Sequence, residues 1–332
     1  MPNAAPQSSS IPQGKRLRFT QAPLSWLYAL WKFWRPHTVI GTSLSVVGIA
    51  AIALADLGRD NVPPAGSVLE LLALTGAACL LGNLYIVGLN QLEDIAIDRV
   101  NKPHLPLAAG EFSVTDGGWI VATAGLGAIA IALASGPWLL ATVGLSLGIG
   151  TAYSLPPLRL KRFPFWASVC ILAVRGAIVN VGLFLHVSHR LGMPFAVPGR
   201  VWALTAFILL FSVAIALFKD IPDIEGDRRY GISTLSLKLG QRTVFNLALG
   251  ILTTCYGGMA LAAPWLTGVN QLFLAGSHLL VLILLWWMSL KVSHSSQSAT
   301  SGSKLAYPQF YQFIWKLFFL QYLIFPLACW LA

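Results

Sequence analysis

Charge is what this sequence has least of. Asp, Glu, Lys and Arg make up 10% of its 332 residues, against about 25% in a soluble domain. Hydrophobic residues make up 56%, and the combination describes a polytopic membrane protein. Acidic residues are scarcer than basic ones, 12 against 22. The surplus of positive charge does not mark a nucleic-acid binder, because no basic stripe with interleaved aromatics exists. Cysteine is also sparse. Cys79, Cys170, Cys255 and Cys329 stand singly in apolar runs, which excludes a disulfide framework or zinc spacing and predicts small buried side chains. No Ser-His-Asp or Cys-His arrangement is present, so a mechanism with a protein nucleophile has no carrier.

The apolar residues fall into long runs. Residues 1–36 are expected to be a cytosolic tail and an interfacial lead-in helix; residues 37–332 are expected to form one membrane domain. Met1–Phe19 has a basic cluster but no apolar core with a cleavage site, so it reads as a disordered tail and not as a secretory signal. Trp26–Trp34 carries five aromatics and suits the membrane interface. An all-α bundle of nine transmembrane helices is expected: Thr38–Leu57, Val68–Leu89, Gly118–Ala134, Pro137–Tyr153, Phe165–Leu185, Val201–Phe218, Val244–Ala263, Gln271–Leu290 and Gln312–Leu331. The third and fourth runs are separated by Ser135-Gly136 and imply a tight hairpin, with Gly144 and Gly148 allowing close helix contact. With the N-terminus cytosolic, the segments on that side hold 17 of the 22 basic residues, in keeping with the positive-inside bias.

The scarce acid is concentrated. Asn90, Asp94 and Asp98 follow the second run at intervals of four, which places them on one helix face, about 6 Å apart along the axis. Two carboxylates at that distance repel by roughly 3 kcal/mol at an effective dielectric near 20, so the pair calls for a counter-cation. Lys219, Asp223 and Asp227 repeat the spacing after the sixth run. Four runs separate the two motifs, an even number that puts both on the cytosolic face. Hard oxygen ligands suit Mg2+, which bridges carboxylates to phosphate oxygens. Arg99, Lys102, Arg159, Lys161, Lys219 and Arg228 stand close by, and Tyr153 and Ser154 add hydroxyls. A diphosphate is the natural partner, and the apolar bundle beneath suggests that it carries a lipid tail.

The chain resembles the UbiA-type intramembrane aromatic prenyltransferases over nearly its whole length after the first ~30 residues. The family's Asn-x-x-x-Asp-x-x-x-Asp motif is matched by Asn90, Asp94 and Asp98, its Lys-x-x-x-Asp-x-x-x-Asp motif by Lys219, Asp223 and Asp227, and its Tyr-Ser-x-Pro-Pro loop by Tyr153–Pro157. Gln91 stands where many members have Asp, and Ile215 where many have Tyr. The stretches Asn101–Gly110, Val174-Arg175-Gly176 with Val179-Asn180, and Lys219–Gly231 are similar to the homogentisate prenyltransferase branch. The resemblance implies that Asn90, Asp94, Asp98, Asp223 and Asp227 hold Mg2+. By their place beside the acidic motifs, Arg99, Lys102, Tyr153, Ser154, Lys161, Lys219 and Arg228 are expected to bind the diphosphate. The implied reaction is prenylation of homogentisate with loss of CO2 and diphosphate, in tocopherol synthesis with a phytyl donor, in a cyanobacterial plasma or thylakoid membrane with the site facing the cytoplasm. A solanesyl donor for plastoquinone, a 4-hydroxybenzoate or chlorophyll synthase-like reaction, and a secondary transporter are the rival readings. The transporter is weakest, because no acidic residue occupies the middle of a run.

Arg175 does occupy the middle of a run, at an insertion cost of about 2.5–3.5 kcal/mol. With Asn180 it is the candidate to bind the acceptor, its guanidinium matched to the homogentisate carboxylate. His186 and His189 have a His-x-x-His spacing but no carboxylate nearby in sequence, and are expected as loop residues at the opposite face.

Overall fold

The computed structural model describes residues 16–58, 61–219, 221, 235–298 and 303–332. The described residues are almost entirely helical and contain no strand. Helix α1 (Pro23–Phe33) leads into α2 (Pro36–Asp56). Then come α3 (Ala65–Glu93), α4 (Ile95–Asn101), a short α5 (Pro106–Ala109), α6 (Val114–Ser135) and α7 (Pro137–Ser154). Helices α8 (Pro164–Ile171) and α9 (Val179–Arg190) are joined without a break by a π-helical stretch, Leu172–Ile178. The chain ends with α10 (Gly199–Lys219), α11 (Leu235–Leu239), α12 (Gln241–Ala262), α13 (Gln271–Ser298) and α14 (Ser303–Trp330).

Among the described residues, eight helices are long and apolar enough to cross a membrane. They correspond to the expected runs except the fourth, which forms the 18-residue helix α7 and lies outside those eight. Local chemistry sets the boundaries. Proline opens α1, α2, α7 and α8, where its missing N–H costs nothing. Ser113 and Asp116 form a reciprocal capping box at the start of α6. Gly136, at φ +128, makes the hairpin between α6 and α7.

Contacts run in a circuit, α2–α3–α6–α7–α9–α10–α12–α13–α14, and α14 packs back on α2. The close helix approaches differ from those expected. Gly144 and Gly148 face open space; a Cβ on Gly88 would instead meet Val121 at 2.6 Å, and one on Gly125 would meet Tyr85 at 2.7 Å. Helix α3 lies against both arms of the hairpin, and Gly144 and Gly148 take no part in these approaches. His186 is also not a loop residue: it is buried in α9, with Nε2 3.1 Å from the Thr75 hydroxyl.

Helix α1 lies against the bundle by one face. Phe33 and Ala29 are buried in a small core with Leu84, Leu89, Leu107, Phe112 and Val121, while Leu24 on the other face is 81% exposed. Burying a phenylalanine stabilises the docking by about 1.5–3 kcal/mol. Gln91 is 1% exposed and donates from Nε2 to the Phe33 carbonyl at 2.6 Å, and Lys32 pairs with Glu111 at 2.6 Å. Gln91 therefore ties α1 to α3 behind the acidic motif, which accounts for an amide at that position.

Candidate active site

The C-terminal ends of α3, α7 and α10 and the start of α2 come together around a cavity of about 1810 Å³. Its mouth is polar and its depth apolar, lined by residues such as Ile86, Ile149, Val213, Ile215 and Leu217. Asn90, Asp94, Asp98, Lys102, Tyr153, Lys161, Arg175 and Lys219 all line it.

The acidic motif is not one unbroken helix. Asp94 has φ −112 and ψ 17 and separates α3 from α4, in the sparsely populated bridge region where many active-site residues sit. The four-residue ladder nevertheless continues, with backbone bonds Asp94 N to Asn90 O at 3.1 Å and Asp98 N to Asp94 O at 2.7 Å. The three side chains thus stay on one side while the chain bends at the centre of the motif.

Cations surround the carboxylates. Lys161 Nζ is 2.7 Å from Asp94 Oδ2, and Arg159 Nη2 is 3.4 Å from Asp94 Oδ1. Asp98 is 5% exposed and has Arg35 and Lys102 each at 3.9 Å. Among the described residues, the two non-glycine positions with positive φ are Arg35 (57°) and Arg159 (37°). Such backbone conformations cost about 1–3 kcal/mol and gather at functional sites. Here both strained residues deliver guanidinium groups to the two acidic side chains.

Among the described residues, this mouth carries more positive charge than its carboxylates neutralise. The effect reaches His104, whose pKa lies below the ordinary imidazole value through burial and then the charges of Lys32, Arg35 and Lys102. Burial also lowers the pKa of Lys161, partly offset by Asp94. Low dielectric strengthens the attraction of such a mouth for a polyanion.

In the depth, Arg175 projects from the π-helical stretch. Its guanidinium lies over Trp315 at 5.0 Å and Phe318 at 5.7 Å, contacts worth about 0.5–2 kcal/mol each. Asn180 does not line the cavity. It is fully buried, donates to the Gly176 carbonyl at 2.6 Å and accepts from the Tyr322 hydroxyl at 2.7 Å. It therefore braces the stretch that carries Arg175. Ser154 is likewise buried away from the lining, and Arg99 is exposed outside it. Asp223, Asp227 and Arg228 lie outside the described residues.

Arg35 is the site residue that sequence reasoning missed. Its left-handed backbone, set just before Pro36, turns it toward Asp98. Oxygen donors from Asn90, Asp94 and Asp98 suit Mg2+ by chemical type; among the described residues no third carboxylate, imidazole or thiol joins the two carboxylates.

The family model described as UbiA prenyltransferase matches residues 44–317. The chain is 51% identical over 306 residues to a homogentisate phytyltransferase of Synechocystis, covering 92% of this chain and 96% of that one. It is 41% identical over 310 residues to homogentisate phytyltransferase 1 of Arabidopsis thaliana, covering 90% and 75%. In structure it is similar to a UbiA homolog from Archaeoglobus fulgidus bound to GPP and Mg2+. The TM-score is 0.60 at 14% identity, covering 92% of this chain and all of that one.

Proposed function

The chain belongs to the UbiA prenyltransferase family, and we propose that it transfers a phytyl group from its diphosphate to homogentisate, releasing diphosphate and CO2, as a step of tocopherol synthesis. The observation that carries this reading is the two-ended cavity: a cationic mouth around Asp94 and Asp98, an apolar depth, and one guanidinium at its wall. A molecule that fits has a polyanionic head, an apolar tail and a small acidic co-substrate. The phytyltransferase relatives support that pairing.

Lys102, Arg159, Lys161, Lys219 and Arg35 receive the diphosphate at the mouth. Asn90, Asp94 and Asp98, together with Asp223 and Asp227, would hold Mg2+. When bound, the metal neutralises charge on the departing diphosphate. Tyr153 faces the same end of the cavity. The apolar walls exclude water from the allylic cation that departure of the diphosphate leaves behind. Arg175 takes the acceptor's carboxylate with two parallel charge-assisted hydrogen bonds, orienting the electron-rich ring toward that cation. The protein is a multi-pass membrane protein; the positive-inside bias of its loops supports a mouth on the cytoplasmic side, and the Synechocystis relative supports a cyanobacterial membrane.

The test is direct. Purified protein is assayed with Mg2+, homogentisate and a panel of prenyl diphosphates. Phytyl diphosphate is expected to give the highest kcat/KM. A preference for solanesyl diphosphate, or for 4-hydroxybenzoate over homogentisate, would overturn the assignment.

A further inference from the structure

Transfer to an aromatic ring has to dispose of a proton. The ring's π electrons form the new C–C bond to prenyl C1, and the C1–O bond breaks with its electron pair on the diphosphate. The attacked ring carbon then carries both the prenyl group and its hydrogen. Aromaticity returns when the C–H pair falls back into the ring and a base takes the proton.

Among the described residues that line the cavity, the imidazoles and carboxylates are His37, Asp94, Asp98 and His104. Asp94 and Asp98 are enclosed by Lys161, Arg159, Arg35 and Lys102 at the mouth. His104 lies in the same cationic mouth, beside Lys32, Arg35 and Lys102. His37 differs. It is the second residue of α2, and its ring stands edge-on to Trp315, with centroids 4.8 Å apart at 60°. The same indole carries the Arg175 guanidinium at 5.0 Å. One aromatic side chain therefore sets an imidazole and the acceptor's anchoring cation beside each other, within the reach of one small aromatic acid. His37 is half-buried and borders the cavity.

We propose that His37 is the general base that removes the ring proton as the prenyl group is attached. This rests on the acceptor reading above. An imidazole nitrogen takes the proton from the alkylated ring carbon. Loss of CO2 then leaves an electron pair on the benzylic carbon, which takes up one proton, so the two steps together neither draw nor release one. His37 is thus a catalytic residue for the acceptor half of the reaction, apart from the diphosphate machinery.

The test uses the full chain in lipid nanodiscs with Mg2+, homogentisate and phytyl diphosphate. His37→Gln is expected to lower kcat by about 100-fold or more, in the range of general-base losses. Both KM values should stay within about threefold of wild type. Added imidazole should restore part of the rate, and the acid limb of the wild-type kcat profile should vanish. His37→Phe keeps a ring against Trp315, so it should melt with the wild type and be as slow as His37→Gln. A His37→Phe enzyme within about threefold of the wild-type kcat would overturn the proposal, because packing alone would then explain the residue. So would a His37→Gln enzyme with intact kcat and a raised acceptor KM. Wild-type protein that turns over no homogentisate with any prenyl diphosphate would instead sink the acceptor reading itself.

Discussion

Replacing Arg175 by leucine should separate the acceptor's affinity from the stability of the bundle. Two opposing effects on folding follow from the structure. The guanidinium loses its contacts with Trp315 and Phe318, together about 1–4 kcal/mol. Against this, removing a cation from the middle of the span Phe165–Arg190 relieves an insertion cost of about 2.5–3.5 kcal/mol. The two nearly cancel, so the variant should accumulate and melt close to wild type. Binding has no such cancellation. Truncating one partner of a buried, hydrogen-bonded charge pair costs about 2–5 kcal/mol, which is roughly 30- to 4000-fold in acceptor KM. Arg175→Lys keeps the charge but not the planar fork and should fall between wild type and leucine. Steady-state kinetics with each substrate varied in turn, beside a thermal melt, reads all of these quantities. A rise in donor KM with an unchanged acceptor KM would refute the reasoning and move Arg175 to the diphosphate end. Failure of the leucine variant to accumulate would show its role to be structural.

Asp94→Ala and Asp227→Ala should each abolish turnover while insertion in the membrane persists, and chelation of Mg2+ should do the same to wild type; near-normal rates in either variant at saturating donor would remove the two-motif site. Gly176→Ala puts a Cβ 2.3 Å from Leu209 Cδ2 and 3.2 Å from Leu209 Cα; it should lower stability by about 1–3 kcal/mol, seen as a lower Tm, and raise acceptor KM by displacing Arg175. The folded pKa of His104 is depressed, so below about pH 6.5 the unfolded chain binds a proton that the folded one does not. Stability should therefore fall on acidification, and His104→Gln should show a smaller fall in Tm between neutral and acid pH. Reporter fusions after Ala332 and within residues 223–241 should report opposite compartments; the same compartment for both would remove the nine-span topology.

What the sequence disclosed follows from what membranes demand of it. Apolar runs near 20 residues are obligatory for spanning, so both ends of Val201–Phe218 fall close to those of α10, and Gln271 opens α13, which runs on to Ser298. Asp94 and Asp98 stood out because acid is rare outside such sites. The π-helical stretch was not legible, since a change from i→i+4 to i→i+5 bonding leaves no mark on an all-apolar run. Arg35 and Arg99 show a related limit. Spacing along the chain says how near a cation is, but the strained backbone at Arg35 turns that side chain inward, whereas Arg99 lies on the exposed side of α4. Asn180 was legible as important and not as a brace, because its partner Tyr322 is 142 positions away.

The cationic mouth has a consequence for turnover. In the proposed reading, the guanidinium and ammonium groups that receive the donor's diphosphate also meet the free diphosphate formed from it. Free diphosphate carries more negative charge than its ester, so the same groups hold the product more tightly than the donor. Departure of diphosphate is then expected to share control of the rate with the chemistry. Added salt that screens the mouth should then speed release, and a pyrophosphatase should keep the product from rebinding.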